Sequence, residues 1–565
     1  MKRTVKLLVA FVAIAAAVYV GYKFFYKKNI KEEAVERTAE PLLALYDRHG
    51  NATAAQYAGC KHIAVKWATT GNRKYETALM QLIATKSPVL ITVETWQTEK
   101  FVKQNILEAI AAGDYDEKII SFAKILAQQK QTVMLRLNPE MEVYVDVYPW
   151  QKQAPTVYAK AFNHFASLIK KEAPSVKMVW SPAGYPGTEE YWPGAKWVDM
   201  VSVTLKGRSE MLTTNYPEEK SLQQLIFRKL HRARFFDKPV LLIGSDKLTA
   251  KDFERQGFDA ATKYIEENKV IEFIDTGAAD DTSHVLRNDS MFITGAFDPS
   301  NHLLDSTGLS CEHIFVNIWD LKGGEFKSRF DSAMQRGMNT IVTMEPWKDE
   351  KLAKDPKLVE NILKGSYDSL FEKLYSIIGH TNKTIYLRWL HEMEIPITRY
   401  PWQSQDPVMY IKAYRYFVDF IRNKKPAHIY FVWGPAGDRG SMEFWPGSDV
   451  VDYTSIAIYG LPDKNITDHN QQESFNNIFK RKFRRIWFAH KPLLITEFGV
   501  KGPSSYKAEW LAAAAATINA NREIFGASYF NDTDSPKAWG DIEAPDWSIS
   551  VPLYKNFLKQ IGTAQ

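Results

Sequence analysis

At 565 residues the chain exceeds one ordinary hydrophobic core, so two domains are expected. Hydrophobic residues make up 45% and charged residues 24%, the proportions of a globular protein. The net charge of +6 gathers partly in Lys2, Arg3, Lys6, Lys23, Lys27, Lys28 and Lys31, and no long basic patch follows, which argues against a nucleic-acid partner.

The chain opens with an apolar run from Leu7 to Tyr22, LLVAFVAIAAAVYVGY, extended by Phe24, Phe25 and Tyr26. Ala15, Ala16 and Ala17 resemble a signal-peptide cleavage site. The run continues past them and is long enough to span a bilayer. The expectation is therefore a signal anchor over residues 1–28 and a single-pass membrane protein, with the bulk of the chain periplasmic or extracellular. The two cysteines, Cys60 and Cys311, are expected to be buried small hydrophobes rather than the halves of a disulfide. Aromatic residues reach 13%, with 16 Trp, which suits large cores and sugar-stacking surfaces equally well.

A long internal repeat organises everything after the N-terminus. GCKHIAVKW (Gly59 to Trp67) matches SCEHIFVNIW (Ser310 to Trp319), and SPVLITVETW (Ser87 to Trp96) matches NTIVTMEPW (Asn339 to Trp347). LRLNPEMEVYVDVYPWQ (Leu135 to Gln151) matches LRWLHEMEIPITRYPWQ (Leu387 to Gln403) without a gap. WSPAG at Trp180 matches WGPAG at Trp433, and KPVLLI at Lys238 matches KPLLIT at Lys491. An offset that stays this constant indicates one domain duplicated rather than a short solenoid unit.

In the second copy eight apolar runs read as strands: Met291–Asp298, His313–Trp319, Thr340–Trp347, Thr384–Leu390, His428–Trp433, Tyr453–Tyr459, Leu493–Glu497 and Gly526–Asn531. Amphipathic helices are expected over Pro356 to Ile378, Pro407 to Arg422 and Gln471 to Ala489. Eight buried strands alternating with helices in one copy predict a (β/α)8 barrel. No Gly-rich phosphate turn follows the first strand, which weakens the rival reading of a doubly wound open sheet. The expected architecture is α/β: two tandem (β/α)8 TIM barrels behind an N-terminal transmembrane helix, over residues 29–285 and 286–565.

In such a barrel chemistry sits where strands end in βα loops. Strand 4 ends in Arg388, His391, Glu392 and Glu394, and strand 7 ends in Glu497. Two carboxyl groups facing the barrel axis, one protonated and one ionised, are what hydrolysis of a glycosidic bond requires. A zinc helix is not indicated, because no second His follows His391-Glu392 at the required spacing. Glu345 is also a strand-end carboxylate, with no assigned step.

The second copy resembles glycoside hydrolase family 26, whose members include β-mannanases, β-glucanases and xylanases. The resemblance rests on GAFDPS at strand 1, VTMEPW at strand 3, LRWLHEME with YPWQ at strand 4, WGPAG with FWPG and VDYTSIAIYG at strands 5 and 6, LLITEFG at strand 7, and YFND with DWSI near the end. It implies a retaining mechanism without metal or organic cofactor, with Glu392 as general acid/base and Glu497 as nucleophile. It also implies that His391 bonds near the nucleophile and that the Tyr459 hydroxyl lies beside it. Arg388 would hold the nucleophile ionised by its charge. Trp347, Trp402, Trp445 and Trp547 are candidates for sugar stacking. Where the family has Asn-Gly after HEM, this chain has Glu394, Ile395 and Pro396, and Glu394 is expected on the substrate side of the cleft.

The first copy keeps Glu140 opposite Glu392 but has Gly244 at the position of Glu497, Pro139 at that of His391 and Lys206 at that of Tyr459. One carboxylate cannot run the two-step reaction, so this copy is expected to be non-catalytic. The function expected of the whole is a membrane-anchored endo-β-glycosidase acting on a β-mannan or β-glucan and coupled to exopolysaccharide production, with a polysaccharide synthase or export complex as partner. The alternatives are a non-catalytic glycan-binding scaffold of such an export system and a transglycosylase.

Overall fold

The computed structural model describes residues 34–38, 41–50, 59–67, 74–96, 106–143, 148–151, 153–206, 221–244, 248–288, 292–347, 355–396, 399–462, 473–535 and 543–562. They form two compact units. The first holds the described residues up to Lys206 with Leu222–Ala233 and Asp237–Thr262; the second holds Arg234–Phe236 and everything from Lys263 onward.

The second unit is a closed parallel barrel of β9 (Ile293–Phe297), β10 (Cys311–Asn317), β11 (Asn339–Glu345), β12 (Ile385–Trp389), β13 (Ile429–Trp433), β14 (Tyr453–Gly460), β15 (Leu493–Val500) and β16 (Ile524–Phe530). The eight strands lie within a few residues of the eight apolar runs. β12 and β15 are buried along their whole length, IYLRW and LLITEFGV, because parallel barrel strands are covered on both faces. One core cluster takes Cys311, Ile341, Tyr386, Val432, Leu494 and Phe525 from six strands, and Ile293 and Tyr453 pack against it from the other two. The barrel closes by parallel pairing of β16 with β9. At that seam a Cβ on Gly526 would come within 2.7 Å of Ile293 Cβ, so only glycine lets the two backbones approach this closely. The helix Pro407–Arg422 begins at Pro and is capped by Asp406, whose side chain accepts from the Met409 N–H. The helix expected over Pro356 to Ile378 is two, Leu358–Leu363 and Asp368–Ile378. Between them Gly365 turns left-handed, at φ 78°, which ends the first helix.

The first unit is an eight-stranded sheet that does not close. β3 (Lys61–Trp67), β4 (Val89–Thr95), β5 (Val133–Leu137), β6 (Lys177–Trp180), β7 (Met200–Leu205) and β8 (Val240–Gly244) run parallel. β1 (Ala34–Arg37) and β2 (Leu42–Tyr46) join β3 and β8 antiparallel at the two edges. This corrects the expectation of a second complete barrel. An offset of 251 would place the eighth strand at 273–279, but the chain there makes turns and the short 3-10 helix Ala278–Asp280. The free edge of β8 pairs with β2 instead.

Among the described residues no helix is long and apolar enough to cross a membrane. That finding corrects the expectation of a single-pass membrane protein. The apolar run from Leu7 to Tyr22 on which it rested lies outside the described residues. Cys60 and Cys311 are both free and buried.

Candidate active site

The site is assembled at the C-terminal ends of β11, β12, β14 and β15. On β12, Arg388 is buried inside the barrel; its Nε donates to Thr343 Oγ1 on β11 at 2.9 Å and its Nη1 to Thr496 Oγ1 on β15 at 3.0 Å. Its Nη2 pairs with Glu497 Oε1. Thr343 Oγ1 also contacts His313 Nε2 at 2.8 Å. Two consecutive residues of β15, Thr496 and Glu497, therefore reach the same guanidinium. A strand alternates its faces, so this requires an irregularity. The pairing of β14 with β15 supplies one, since its register shifts between Ile456 and Ala457 and moves the partner from Ile495 to Glu497.

Past Trp389 the backbone turns left-handed twice, at Leu390 (φ 47°) and Glu392 (φ 54°). Such conformations cost about 1–3 kcal/mol each for residues with side chains and persist only where neighbours hold them. Here the Glu392 N–H donates to the Gly434 carbonyl at 2.8 Å, and Gln403 Nε2 donates to the Glu392 carbonyl at 3.1 Å. Trp402 Nε1 donates to the His391 carbonyl at 2.7 Å. The Tyr459 hydroxyl donates to Glu497 Oε2 at 2.8 Å, and its ring lies 4.7 Å from that of Trp547.

The two carboxyl groups are shifted in opposite directions. Burial, and then the negative charge of Glu497, pushes Glu392 up to about 7. Burial is the largest influence on Glu497 and would raise it, but Arg388, His391 and His313 together with the hydrogen bond from Arg388 outweigh it and hold Glu497 at about 2. His313 is pushed down to about 3 and His391 well below its ordinary value, in both cases by burial and then by Arg388. Glu345, 8% exposed, is pushed up to about 7 by burial. Among the described residues no cluster of His, Cys, Asp or Glu is arranged to hold a metal ion.

Several expected roles do not fit this geometry. Trp402, Trp445 and Trp547 are 0–1% exposed and present no face to a sugar. Trp402 stacks on Tyr400 at 4.5 Å, and Trp445 Nε1 donates to Asp275 at 2.7 Å. Trp347 alone of the four is half-buried. Glu394 does not face substrate: its Oε1 accepts from the Gly437 N–H (2.9 Å), the Asp438 N–H (3.1 Å) and Ser441 Oγ (2.7 Å), tying down a loop. Glu142 does the same for Gly184, Tyr185 and Thr188, so the carboxylate shared by both copies is a scaffold feature. His391 Nε2 faces Glu345 Oε1 at 3.7 Å. Trp319, read as a strand end, lies instead in the first turn of the short helix Ile318–Gly323 and is 64% exposed.

Sequence reasoning passed over Thr343, Thr496, His313 and Arg399. Thr343 and His313 have counterparts in Thr92 and His62, and a residue present in both copies does not distinguish one from the other. Arg399 carried a usable signal, since the first copy has Val147 at that place. Arg399 acts electrostatically on Glu392 and Glu345, lowering both.

The first unit repeats the frame with different residues at the corresponding positions. Arg136 Nε donates to Thr92 Oγ1 at 2.6 Å, and Glu140 is left-handed (φ 61°) with its N–H bonded to the Ser181 carbonyl at 2.8 Å. The register of β7 on β8 runs straight to Leu205 opposite Gly244, with no bulge. Lys206 Nζ pairs with Glu140 at 2.8 Å. A Cβ on Gly244 would lie 3.1 Å from Leu42 Cβ and 3.3 Å from the Phe253 ring, so the place of a nucleophile is occupied by packing.

No family model matches the chain. It is 25% identical over 259 residues to Endoglucanase H of Acetivibrio thermocellus, covering 44% of this chain and 26% of that protein. It is 24% identical over 203 residues to a β-1,3-xylanase of a Vibrio species, covering 32% and 43%. The chain thus spans less than half the length of either curated relative. Among solved structures, a family 26 β-mannanase of Bacteroides ovatus aligns with a TM-score of 0.36 at 12% identity, over 48% of this chain and 89% of that one. By its curated relatives the chain resembles glycoside hydrolases, an endoglucanase and a β-1,3-xylanase.

Proposed function

We propose that the second unit is a retaining endo-β-glycosidase that hydrolyses a β-linked polysaccharide. The opposite shifts of Glu392 and of Glu497, the latter held by Arg388 and Tyr459, carry this reading, since retention needs one acid and one carboxylate across the bond. Glu392 gives its proton to the glycosidic oxygen as the C1–O bond breaks. Glu497 attacks C1 and forms a glycosyl ester. Glu392, now ionised, takes a proton from water as the water oxygen bonds to C1 and the ester breaks, which restores both carboxyl groups. Arg388 and Tyr459 orient Glu497 and keep it charged. The polymer is a β-mannan or β-glucan by the motif resemblance, and the xylanase relative adds β-1,3-xylan to the panel. Gly244 and the Lys206–Glu140 pair support a non-catalytic first unit.

Release of reducing ends from purified mannan, mixed-linkage glucan and β-1,3-xylan, with the anomer of the first product read by NMR, tests the proposal. Retention by the wild type, and loss of release in Glu497→Ala with polymer binding kept, are expected. A wild type no more active than that variant on every polymer refutes it.

A further inference from the structure

The carboxyl group of Glu345 has no step in the mechanism, yet it closes a ring of contacts around the acid. It ends β11, and its Oε2 accepts from Trp347 Nε1 at 2.9 Å. Trp347 meets Tyr400 edge to face at 5.2 Å and 84°. Tyr400 lies flat on Trp402 at 4.5 Å and 4°. Trp402 Nε1 donates to the carbonyl of His391. His391 Nε2 returns to Glu345 Oε1 at 3.7 Å. The ring passes through His391, the residue immediately before Glu392.

The first unit separates the two arms of this carboxyl. Glu94 accepts from Trp96 Nε1 at 2.9 Å, Tyr148 stacks on Trp150 at 4.7 Å, and Trp150 Nε1 donates to the residue 139 carbonyl at 2.8 Å. Residue 139 is proline, so no imidazole completes the ring. The indole arm is thus present where no nucleophile exists, and the imidazole arm occurs only beside the catalytic pair.

We propose that Glu345 is a positioning residue for the general acid: both units form the left-handed turn, and in the second Glu345 acts through His391 to steady the Glu392 carboxyl on it toward the glycosidic oxygen. This rests on the glycosidase reading above. The groups that face Glu345 are Trp347 on its own strand loop, His391 after β12, and Arg399 and Tyr400 on the loop before Pro407; the charges of Arg388 and Glu497 also reach it. A contact of 3.7 Å is longer than a hydrogen bond and is expected to tighten when a sugar fills the site.

Leaving-group dependence tests the inference, because a carboxyl that donates its proton badly matters only when the leaving group needs it. Phenyl and 2,4-dinitrophenyl β-glycosides of the sugar that the wild type releases serve as the substrate pair. Glu345→Ala is expected to lose about tenfold to a hundredfold in kcat/KM on the phenyl glycoside and little on the dinitrophenyl one. Glu345→Gln, which retains an oxygen for Trp347 and a donor for His391, recovers most of the loss. His391→Ala shows the same pattern, and the double variant is no worse than the worse single. Equal loss on both substrates, no loss, or additive losses overturns the inference. If Glu345→Ala fails to fold, Glu345→Leu, His391→Ala and their double variant decide by the same criteria. An inactive wild type instead refutes the glycosidase reading itself.

Discussion

Replacing Glu392 by glutamine should remove activity and stabilise the fold above neutral pH. The carboxyl ionises near 4.5 in an unfolded chain but only near 7 in the folded site, raised by burial and by Glu497. Between those values the folded state binds more protons, so stability falls as pH rises through the window. The cost is fully present above about pH 7 and absent below about 4.5. That displacement corresponds to about 3 kcal/mol for one group at pH 8. Glu345 titrates in the same direction and steepens the same window in wild type and variant alike. Glu497 acts in the opposite sense: held at about 2, it contributes stability above its unfolded value that is lost as pH falls toward 2. It is therefore constant between pH 5 and 8. The assay is urea unfolding of the full chain at pH 5 and pH 8, followed by tryptophan fluorescence and fitted as two transitions for the two units. Glu392→Gln should shift the second unit's transition upward at pH 8 by up to about 3 kcal/mol and leave it unchanged at pH 5. A variant with the wild-type difference between the two pH values would show that burial does not hold this carboxyl protonated, and the acid assignment would fall with it.

Three further outcomes follow from the same contacts. Arg388→Met leaves Glu497 buried beside neutral histidines, so the acid limb of kcat/KM should move up from about 2 and the unit should lose about 3–5 kcal/mol; an unmoved acid limb contradicts the electrostatic account. Trp402→Ala should cost about 3–5 kcal/mol of stability, while Trp347→Ala should act mainly on KM for polymer; the reverse pattern in melting and kinetic data would show the stacking surface to be elsewhere. Gly244→Glu in the first unit should destabilise that unit, because Leu42 and Phe253 stand within 3.1–3.3 Å of the new Cβ, and with Glu497→Ala in the same chain it should restore no release of reducing ends.

Strand periods, helix starts and the paired strand-end carboxylates were legible because local chemistry encodes them. IYLRW and LLITEF are continuous buried runs whichever sheet receives them, and Asp406-Pro407 starts a helix on its own. The Glu394 misreading shows where this stops. EME looks the same whether its second carboxylate meets substrate or three loop donors, and only the arrival of Gly437, Asp438 and Ser441 decides. The tryptophans behave alike: a Trp in a loop can cover a sugar or fill a core, and Trp402 and Trp547 are in the core because Tyr400 and Tyr459 take their faces.

The order of the strands, the duplicated motifs and the loss of a carboxylate at Gly244 are properties of the sequence by itself. Closure is not. The second unit closes because β16 reaches β9, whereas the first ends on β8 and takes β2 antiparallel in its place. The bulge opposite Ile456 and Ala457 is likewise a property of two strands in register, and it turns Thr496 and Glu497 onto the same guanidinium. Proton states depend on burial and on charges more than a hundred residues away along the chain. Glu392 and Glu497 are the same amino acid, and the folded barrel alone pushes one up to about 7 and holds the other at about 2.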